Sequence, residues 1–281
     1  MRSLGVDVSV SRGLDLVLLD DSLEVLDTRR RVEVGQLARA IDELEPDVVA
    51  IDSPPAWGTN GGSRRTEREL RLFGIQSYGT PTRERDGHPF YAWMKVGFRA
   101  FDICKRKGFK RYASGRVKGT AIEVFPHASA VVLVGCLPPP GMTKRAWRAQ
   151  ALVAQGVRTE LRSADQVDAA LAALTGLRAL QGRSSALGDP KEGVIVLPAT
   201  RLPAHPYRRC DAVPRSQSQQ HLPGLSPCGC GDPACKELTG REFARGHDAK
   251  RKSLLWDRAR AGDDAARELK RRGWDLPPEL R

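Results

Sequence analysis

The 281-residue sequence lacks any apolar run that approaches the roughly 18 residues needed to cross a bilayer. Its first residues, MRSLGVDVSV, enter a strand-like alternation at once and contain no signal-peptide core. Internal repeats are also lacking, which excludes a repeat architecture. We therefore expect a cytoplasmic protein that does not span a membrane.

The composition is that of a globular protein of one or two domains, with 40% hydrophobic and 28% charged residues. A formal net charge of +12 favours polyanionic partners, because lysine and arginine supply most of the affinity for phosphate backbones. Residues 201–281 contain 17 lysines and arginines against 11 acidic residues, so they carry half of the excess positive charge. We expect a nucleic-acid partner; the alternative is a solvated cationic surface.

The first 52 residues predict the order β-β-β-α-β. Residues 3–8, 14–19 and 24–28 alternate or concentrate apolar side chains between short turns, which indicates an antiparallel meander. Residues 35–45 have apolar positions at helical spacing. The run DVVAID at 47–52 is typical of a strand buried on both faces.

Residues 56–120 have the character of an insertion with two helices, near 63–73 and 89–107. The second helix has an aromatic and apolar stripe that includes Phe90, Trp93 and Phe101. Such a stripe is more often core than a surface for stacking bases.

The remaining elements complete a predicted α/β fold with a mixed sheet. Residues 120–125 predict a strand, 143–155 a helix, and 193–197 a last short strand at an edge. Ser163 begins a capping-box pattern, so another amphipathic helix follows it. The order becomes β-β-β-α-β-α-β-α.

Four carboxylates fall at sites where a lone acid is costly. Asp7 lies within the apolar first strand, Asp52 ends a buried strand, Glu123 interrupts another, and Asp168 lies beside an apolar helix face. In the predicted topology the first strand is central, so Asp7 and Asp52 are neighbours and Glu123 is one strand further out. A later helix crossing that edge adds Asp168. Clustered oxygen ligands suit Mg²⁺ or Mn²⁺, and two such ions activate water and stabilise a leaving oxygen.

Seven short motifs occur in order between residues 3 and 200: GVDVS, AIDSPP, RTERELR, YAWMKVG, IEVFPHAS, DQVDAALAAL and GDPKEGVIVLP. This pattern resembles the DUF429 family of predicted nucleases with an RNase H-like fold. The resemblance implies an RNase H-like domain over 1–200 and places Asp7, Asp52, Glu123 and Asp168 at the family's acidic positions.

The same resemblance places Arg65, Glu67 and Arg71 on a polar helix that we expect to contact substrate. Lys144 is a further candidate for phosphate contact, as are Lys95 and Lys118; a solvated role is the alternative for each. His127 follows the Glu123 strand, where a general acid and a capping residue are both compatible with its position.

The C-terminal cysteines predict a separate module over 228–281, after a Pro-, Ser- and Gln-rich linker at 201–227. Cys228, Cys230, Cys235 and His247 form a candidate tetrahedral zinc set, although the spacing departs from a CxxC knuckle. Cys210 and His221 are the alternatives for the fourth ligand. Cys104 and Cys136 stand in apolar company, which predicts small core residues.

The sequence therefore favours a metal-dependent nuclease that hydrolyses phosphodiester bonds. The alternative is a nucleic-acid-binding protein that keeps the fold without the chemistry. A phosphotransferase of the sugar-kinase and actin type is less favoured, because DVSVSRG at 7–13 is a poor phosphate loop and has no second copy.

Overall fold

Three antiparallel strands form one half of the sheet in the computed structural model, which describes residues 1–59, 61–157, 161, 163–211 and 269. The strand β1 (Arg2–Ser9) pairs with β2 (Gly13–Asp20), and β2 pairs with β3 (Val25–Val32). Short turns between strands of alternating polarity produce this meander, as the sequence predicts.

The other half of the sheet is mostly parallel. After helix α1 (Leu37–Leu44), β4 (Val48–Asp52) pairs with β1, and β6 (Thr120–Val124) pairs with β4. The short β5 (Lys110–Arg111) pairs beside the beginning of β6. The predicted order β-β-β-α-β is confirmed by this arrangement.

The predicted edge position of residues 193–197 is wrong. The strand β8 (Gly193–Leu197) lies between β6 and β7 (Ser185–Asp189), in the strand order β3-β2-β1-β4-β6-β8-β7. The segment SALGD of β7 has little apolar or β-branched character, so its sequence contains no strand signal, and pairing with β8 determines its conformation.

Helices cover both faces of the sheet. Leu4, Val6, Val49 and Ile51 pack against α1 and α3 (Ala92–Arg106). On the other face Ala50 packs with Ala172 of α6 (Ala164–Leu180). The sheet is therefore buried between two helical layers along β1 and β4.

The long helix α6 lies unusually close to β1. A Cβ atom added at Gly5 would lie 1.9 Å from the carbonyl oxygen of Ala169 and 2.5 Å from the amide nitrogen of Ala173. Only glycine permits this approach. The predicted cap is confirmed, because the Ser163 hydroxyl accepts a hydrogen bond of 3.1 Å from the backbone N–H of Gln166.

The remaining helices differ in how well the sequence predicts them. Helices α2 (Arg65–Leu72) and α5 (Lys144–Ala154) lie within the predicted ranges. Helix α4 (Pro126–Val134) is missed. Its segment PHASAVVLV is apolar all round, so it has no amphipathic period, and Pro126 occupies the first turn rather than ending an element.

Two of the three cysteines among the described residues form a disulfide that the sequence did not predict. Cys104 is buried and free, as predicted. Cys136 is not an isolated core residue, because it forms a disulfide with Cys210 across a Cα–Cα distance of 5.2 Å. The bond also occupies Cys210, which was an alternative zinc ligand. Sequence spacing alone does not reveal a pair separated by 74 residues.

The chain divides into two compact units, Met1–Asp211 and Ala212–Arg281. The last residues of the first unit pack against its earlier part, since the N–H of Tyr207 donates to the carbonyl of Phe73. Cys228, Cys230, Cys235, His247 and His221 lie outside the described residues, so the zinc module stays a prediction. In the described part of the chain no helix is long and apolar enough to cross a membrane.

Candidate active site

Two aspartates stand side by side near the carboxyl ends of neighbouring parallel strands. Asp7 of β1 is the register partner of Asp52, the last residue of β4. Directly opposed residues project from the same face of a sheet, so both carboxylates belong to the face covered by α6. The adjacency predicted from the topology is therefore confirmed, while the catalytic role stays a prediction.

Helix α6 brings further carboxylates to this pair. The pKa of Asp7 is raised from 3.8 to about 9, first by burial and then by repulsion from Asp52, Asp168, Asp165 and Asp15. Burial also raises the pKa of Asp52 well above its ordinary value; Asp168 adds to the effect, and the nearby Arg148 opposes it. Among the described residues, no hydrogen bond or ion pair compensates Asp7 or Asp52.

Asp15 and Asp165 belong to the same acidic surroundings, and the sequence reasoning missed both. Asp15 is the register partner of Asp7 on β2 and accepts a hydrogen bond of 3.1 Å from the backbone N–H of Arg31. Asp165 lies three residues before Asp168 and pairs with the exposed Arg12 at 3.0 Å. The helical i, i+3 spacing of the two α6 aspartates was the signal available in the sequence.

Asp168 has a cationic partner within the protein. One nitrogen of the Arg148 guanidinium, on α5, donates to both carboxylate oxygens at 2.6 and 2.5 Å. Burial raises the pKa of Asp168, and Arg148 opposes that rise. The Nε atom of Arg148 is buried without a partner among the described residues. Arg148 therefore occupies the position of a counter-ion beside the aspartate pair.

Glu123 is separated from the aspartates by the register of the sheet. It is the partner of Ile51 rather than Asp52, so its side chain belongs to the face covered by α3. There Arg64 donates two hydrogen bonds to its carboxylate, at 2.8 and 2.5 Å. Burial raises the pKa of Glu123, and Arg64 opposes that rise. Glu123 is thus neutralised by an arginine.

Glu67 forms the other end of this buried network. Its carboxylate accepts hydrogen bonds from the Nε of Arg64 at 2.9 Å and from the hydroxyl of Thr80 at 2.6 Å. It also accepts a hydrogen bond from the backbone N–H of Arg64, the N-cap residue of α2. The side chain is buried, so the structure places it in the support of α2 and not on an open surface.

The other predicted substrate contacts lie on the surface. Arg65 is exposed and pairs with Glu69 at 2.6 Å. Arg71 is exposed and donates to the hydroxyl of Ser63 at 2.6 Å. Lys144, at the first turn of α5, is exposed and close enough to Asp168 to lower the pKa of that carboxyl. All three remain predictions as substrate contacts.

His127 lies at the beginning of α4, half-buried between Phe125 and Trp147. Burial, with Arg148 and Lys144 nearby, lowers its pKa to about 4. The imidazole is therefore neutral near pH 7. A neutral imidazole has little capacity to donate a proton as a general acid.

The donor chemistry fits a hard divalent cation at Asp7 and Asp52. Within the described residues, no group of three or more His, Cys, Asp or Glu side chains is arranged to hold a metal ion. However, Mg²⁺ usually takes one or two carboxylates and completes its shell with water and substrate phosphate. Asp7 and Asp52 supply two adjacent carboxylates without a hydrogen-bond or ion-pair partner among the described residues, whereas both oxygens of Glu123 are bonded to Arg64.

A cavity of about 230 Å³ opens beside Asp52. Its wall includes both ends of the buried network, Glu67 and Glu123. Ser77, Tyr78 and Trp93 line it as well. The cavity therefore joins Asp52, one member of the aspartate pair, to residues of the insertion between β4 and β6.

The fold and the site together define a mixed α/β protein with an acidic cluster at the carboxyl ends of its central strands. The model of the DUF429 family, described as a protein of unknown function, matches residues 5–192. Because this is more than half of the chain, the protein belongs to the DUF429 family, and the resemblance seen in the motifs is confirmed.

The solved structures that are similar to this chain include two of RuvC. One is RuvC of Thermus thermophilus, with 15% sequence identity and a TM-score of 0.38 over 65% of this chain and 97% of RuvC. The other is T. thermophilus RuvC in complex with a Holliday junction substrate, with 14% identity and a TM-score of 0.38 over 65% and 94% of the two chains. No curated protein matches the chain.

Proposed function

We propose that this protein is a metal-dependent nuclease of RNase H-like fold that hydrolyses phosphodiester bonds. The observation that carries the proposal is the register pairing of Asp7 with Asp52, two half-buried carboxyl groups that form no hydrogen bond or ion pair with the described residues. Burial and mutual repulsion raise the pKa of both groups, and carboxyl groups perturbed in this way commonly mark functional sites.

Asp7 and Asp52 would hold the first ion, and Asp168 is the third carboxylate within electrostatic reach. A bound Mg²⁺ or Mn²⁺ supplies an activated water and stabilises the leaving oxygen. The protein contributes a half-buried pair of carboxyl groups, one of which lines the cavity, and the formal net charge of +12 favours a polyanionic substrate.

Glu123 is absent from this ligand set, contrary to the four-acid hypothesis. Its two oxygens are already bonded to Arg64. We propose that Glu123 supports α2 and the cavity wall. Asp168 is compensated by Arg148 in the metal-free state, so metal binding there competes with an ion pair.

The second candidate is a nucleic-acid-binding protein without catalysis. The observation that favours it is that arginines compensate two of the four predicted acids, Asp168 and Glu123. Only two carboxylates then remain for metal, which is fewer than a two-ion mechanism ordinarily uses.

The deciding experiment titrates Mn²⁺ and Mg²⁺ into the full chain by calorimetry and assays cleavage of labelled DNA and RNA alongside. We expect Asp7→Asn and Asp52→Asn each to abolish metal binding and cleavage, because each removes one of the two carboxylates proposed to hold the first ion. The exposed Asp102→Asn is the matched control and should leave both unchanged.

Metal binding that survives in Asp7→Asn with unchanged cleavage would contradict the site. Oligonucleotide binding that persists in EDTA, with no cleavage under either metal, would instead support the binding protein.

A further inference from the structure

A group of aromatic side chains, two of them exposed, extends from the wall of the cavity that Asp52 lines. Tyr78 lines the cavity and is 73% exposed. Phe90, 47% exposed, packs edge-to-face against Tyr78 with ring centroids 5.3 Å apart. Tyr91 continues the group at 5.0 Å from Phe90. Large apolar rings left in water as a group indicate a binding surface.

The cavity wall also contains a polar atom without a partner. The Ser77 hydroxyl is buried and makes no hydrogen bond within the described part of the chain. Buried polar atoms are almost always hydrogen-bonded, so an exception in a cavity wall indicates that a ligand or water supplies the bond. A hydroxyl both donates and accepts, which suits the edge of a heterocycle.

The segment that follows Ser77 and Tyr78 is hydrogen-bonded to Glu67 of the buried network. Thr80, two residues after Tyr78, donates its hydroxyl to Glu67. The backbone N–H of Gly58 donates to the carbonyl of Pro81 at 2.9 Å. Ser77 and Tyr78 therefore precede an anchored segment, and anchoring reduces the entropic cost of binding.

The geometry points to a binding site for one unstacked nucleobase of a single-stranded nucleic acid, with Tyr78 and Trp93 as stacking surfaces and Ser77 as a contact to the base edge. This inference rests on the proposed function in naming its substrate. The cavity is smaller than the roughly 300–1,000 Å³ typical of complete small-molecule ligands, so it suits a part of a larger molecule.

A base within a duplex has its faces covered by its neighbours and cannot reach such a cavity. Single strands, by contrast, bind through stacking on aromatic side chains beside cations that follow the backbone. Arg83 and Arg85 are exposed shortly after Tyr78, where they alternate with the exposed acids Glu84 and Asp86, and are the cations nearest to it in sequence on this segment. Because Asp52 is part of the cavity wall, a base bound there lies beside one member of the aspartate pair.

The test measures fluorescence anisotropy of a labelled single-stranded oligonucleotide and of the same sequence in duplex form, as DNA and as RNA. All titrations contain EDTA, so binding is measured without metal and without cleavage. We expect the wild-type chain to prefer the single strand, and Tyr78→Ala to weaken that binding by roughly ten-fold. Ser77→Ala should weaken it less, and Tyr78→Phe should retain it because the ring remains.

Leu72→Ala is the matched control, since Leu72 is as exposed as Tyr78 but does not line the cavity. Equal affinity of wild type and Tyr78→Ala for the single strand would overturn the inference, as would equal loss in Leu72→Ala or a preference for duplex. Failure of the nuclease proposal appears separately, as absent cleavage or metal binding in the calorimetric experiment.

Discussion

At the residue scale, the alternation of side chains along a strand decides which acidic residues lie on the same face of the sheet. Asp7 and Asp52 share a face because they are register partners, while Glu123 is opposite Ile51 and projects from the other face. The same alternation gives Glu123 its partner Arg64, which is 2% exposed. A shift of one residue in the strand register therefore decides that Asp52 is a candidate metal ligand while Glu123 forms a structural ion pair.

Replacing Arg64 tests this structural role. Arg64→Met leaves the carboxylates of Glu123 and Glu67 buried without their cation, so we expect the free energy of unfolding to fall by about 3–5 kcal/mol. Urea unfolding of the full chain measures the change. Arg65→Met is the control, because the exposed Arg65–Glu69 pair should contribute less than about 1 kcal/mol. Similar losses in both variants would show that the network is not strongly stabilising.

At the element scale, the position of α6 determines the composition of the site. The helix contributes Asp168 and Asp165. It packs close enough to β1 to bring these carboxylates near Asp7 because Gly5 has no side chain. A single glycine on the strand thus sets how closely the helix approaches the aspartate pair.

Gly5→Ala should push α6 away from β1, because the added Cβ would overlap the Ala169 carbonyl. We expect a loss of about 1–3 kcal/mol in unfolding free energy. Mn²⁺ affinity measured by calorimetry should also fall, since Asp168 moves with the helix. Gly35→Ala is the control, as nothing lies within 4 Å of the added atom. Unchanged stability and affinity in Gly5→Ala would count against this dependence.

At the scale of the whole molecule, the acidic cluster links stability to pH. The folded-state pKa of Asp7 is raised to about 9, so the folded chain holds a proton that the unfolded chain releases above about pH 4. The unfolded state then binds fewer protons, and stability falls as the pH rises between these values. Below both values this contribution is fully present.

We therefore expect the metal-free chain to melt at a higher temperature near pH 5 than near pH 8. Asp7→Asn should reduce this decline by up to about 1.4 kcal/mol per pH unit, because it removes one titrating group. Calorimetric melting in EDTA at several pH values measures the difference between the two proteins. Parallel pH profiles for wild type and Asp7→Asn would contradict a raised pKa at this position.

The sequence by itself determined the order of the first five elements, the mixed sheet, the family and the adjacency of Asp7 with Asp52. These follow from local patterns: alternation in the strands, helical spacing in α1, and the parallel return that a strand–helix–strand unit requires. The cap at Ser163 is equally local.

Only the tertiary structure decided what each acid contacts. The partners Arg64 and Arg148, the disulfide between Cys136 and Cys210, and the aromatic cavity join residues that are far apart in the chain or lie on loops. Such pairings depend on register and on helix placement, which side-chain periodicity within one segment does not contain. The same limit applies to β7, whose conformation comes from its neighbour and not from its own residues.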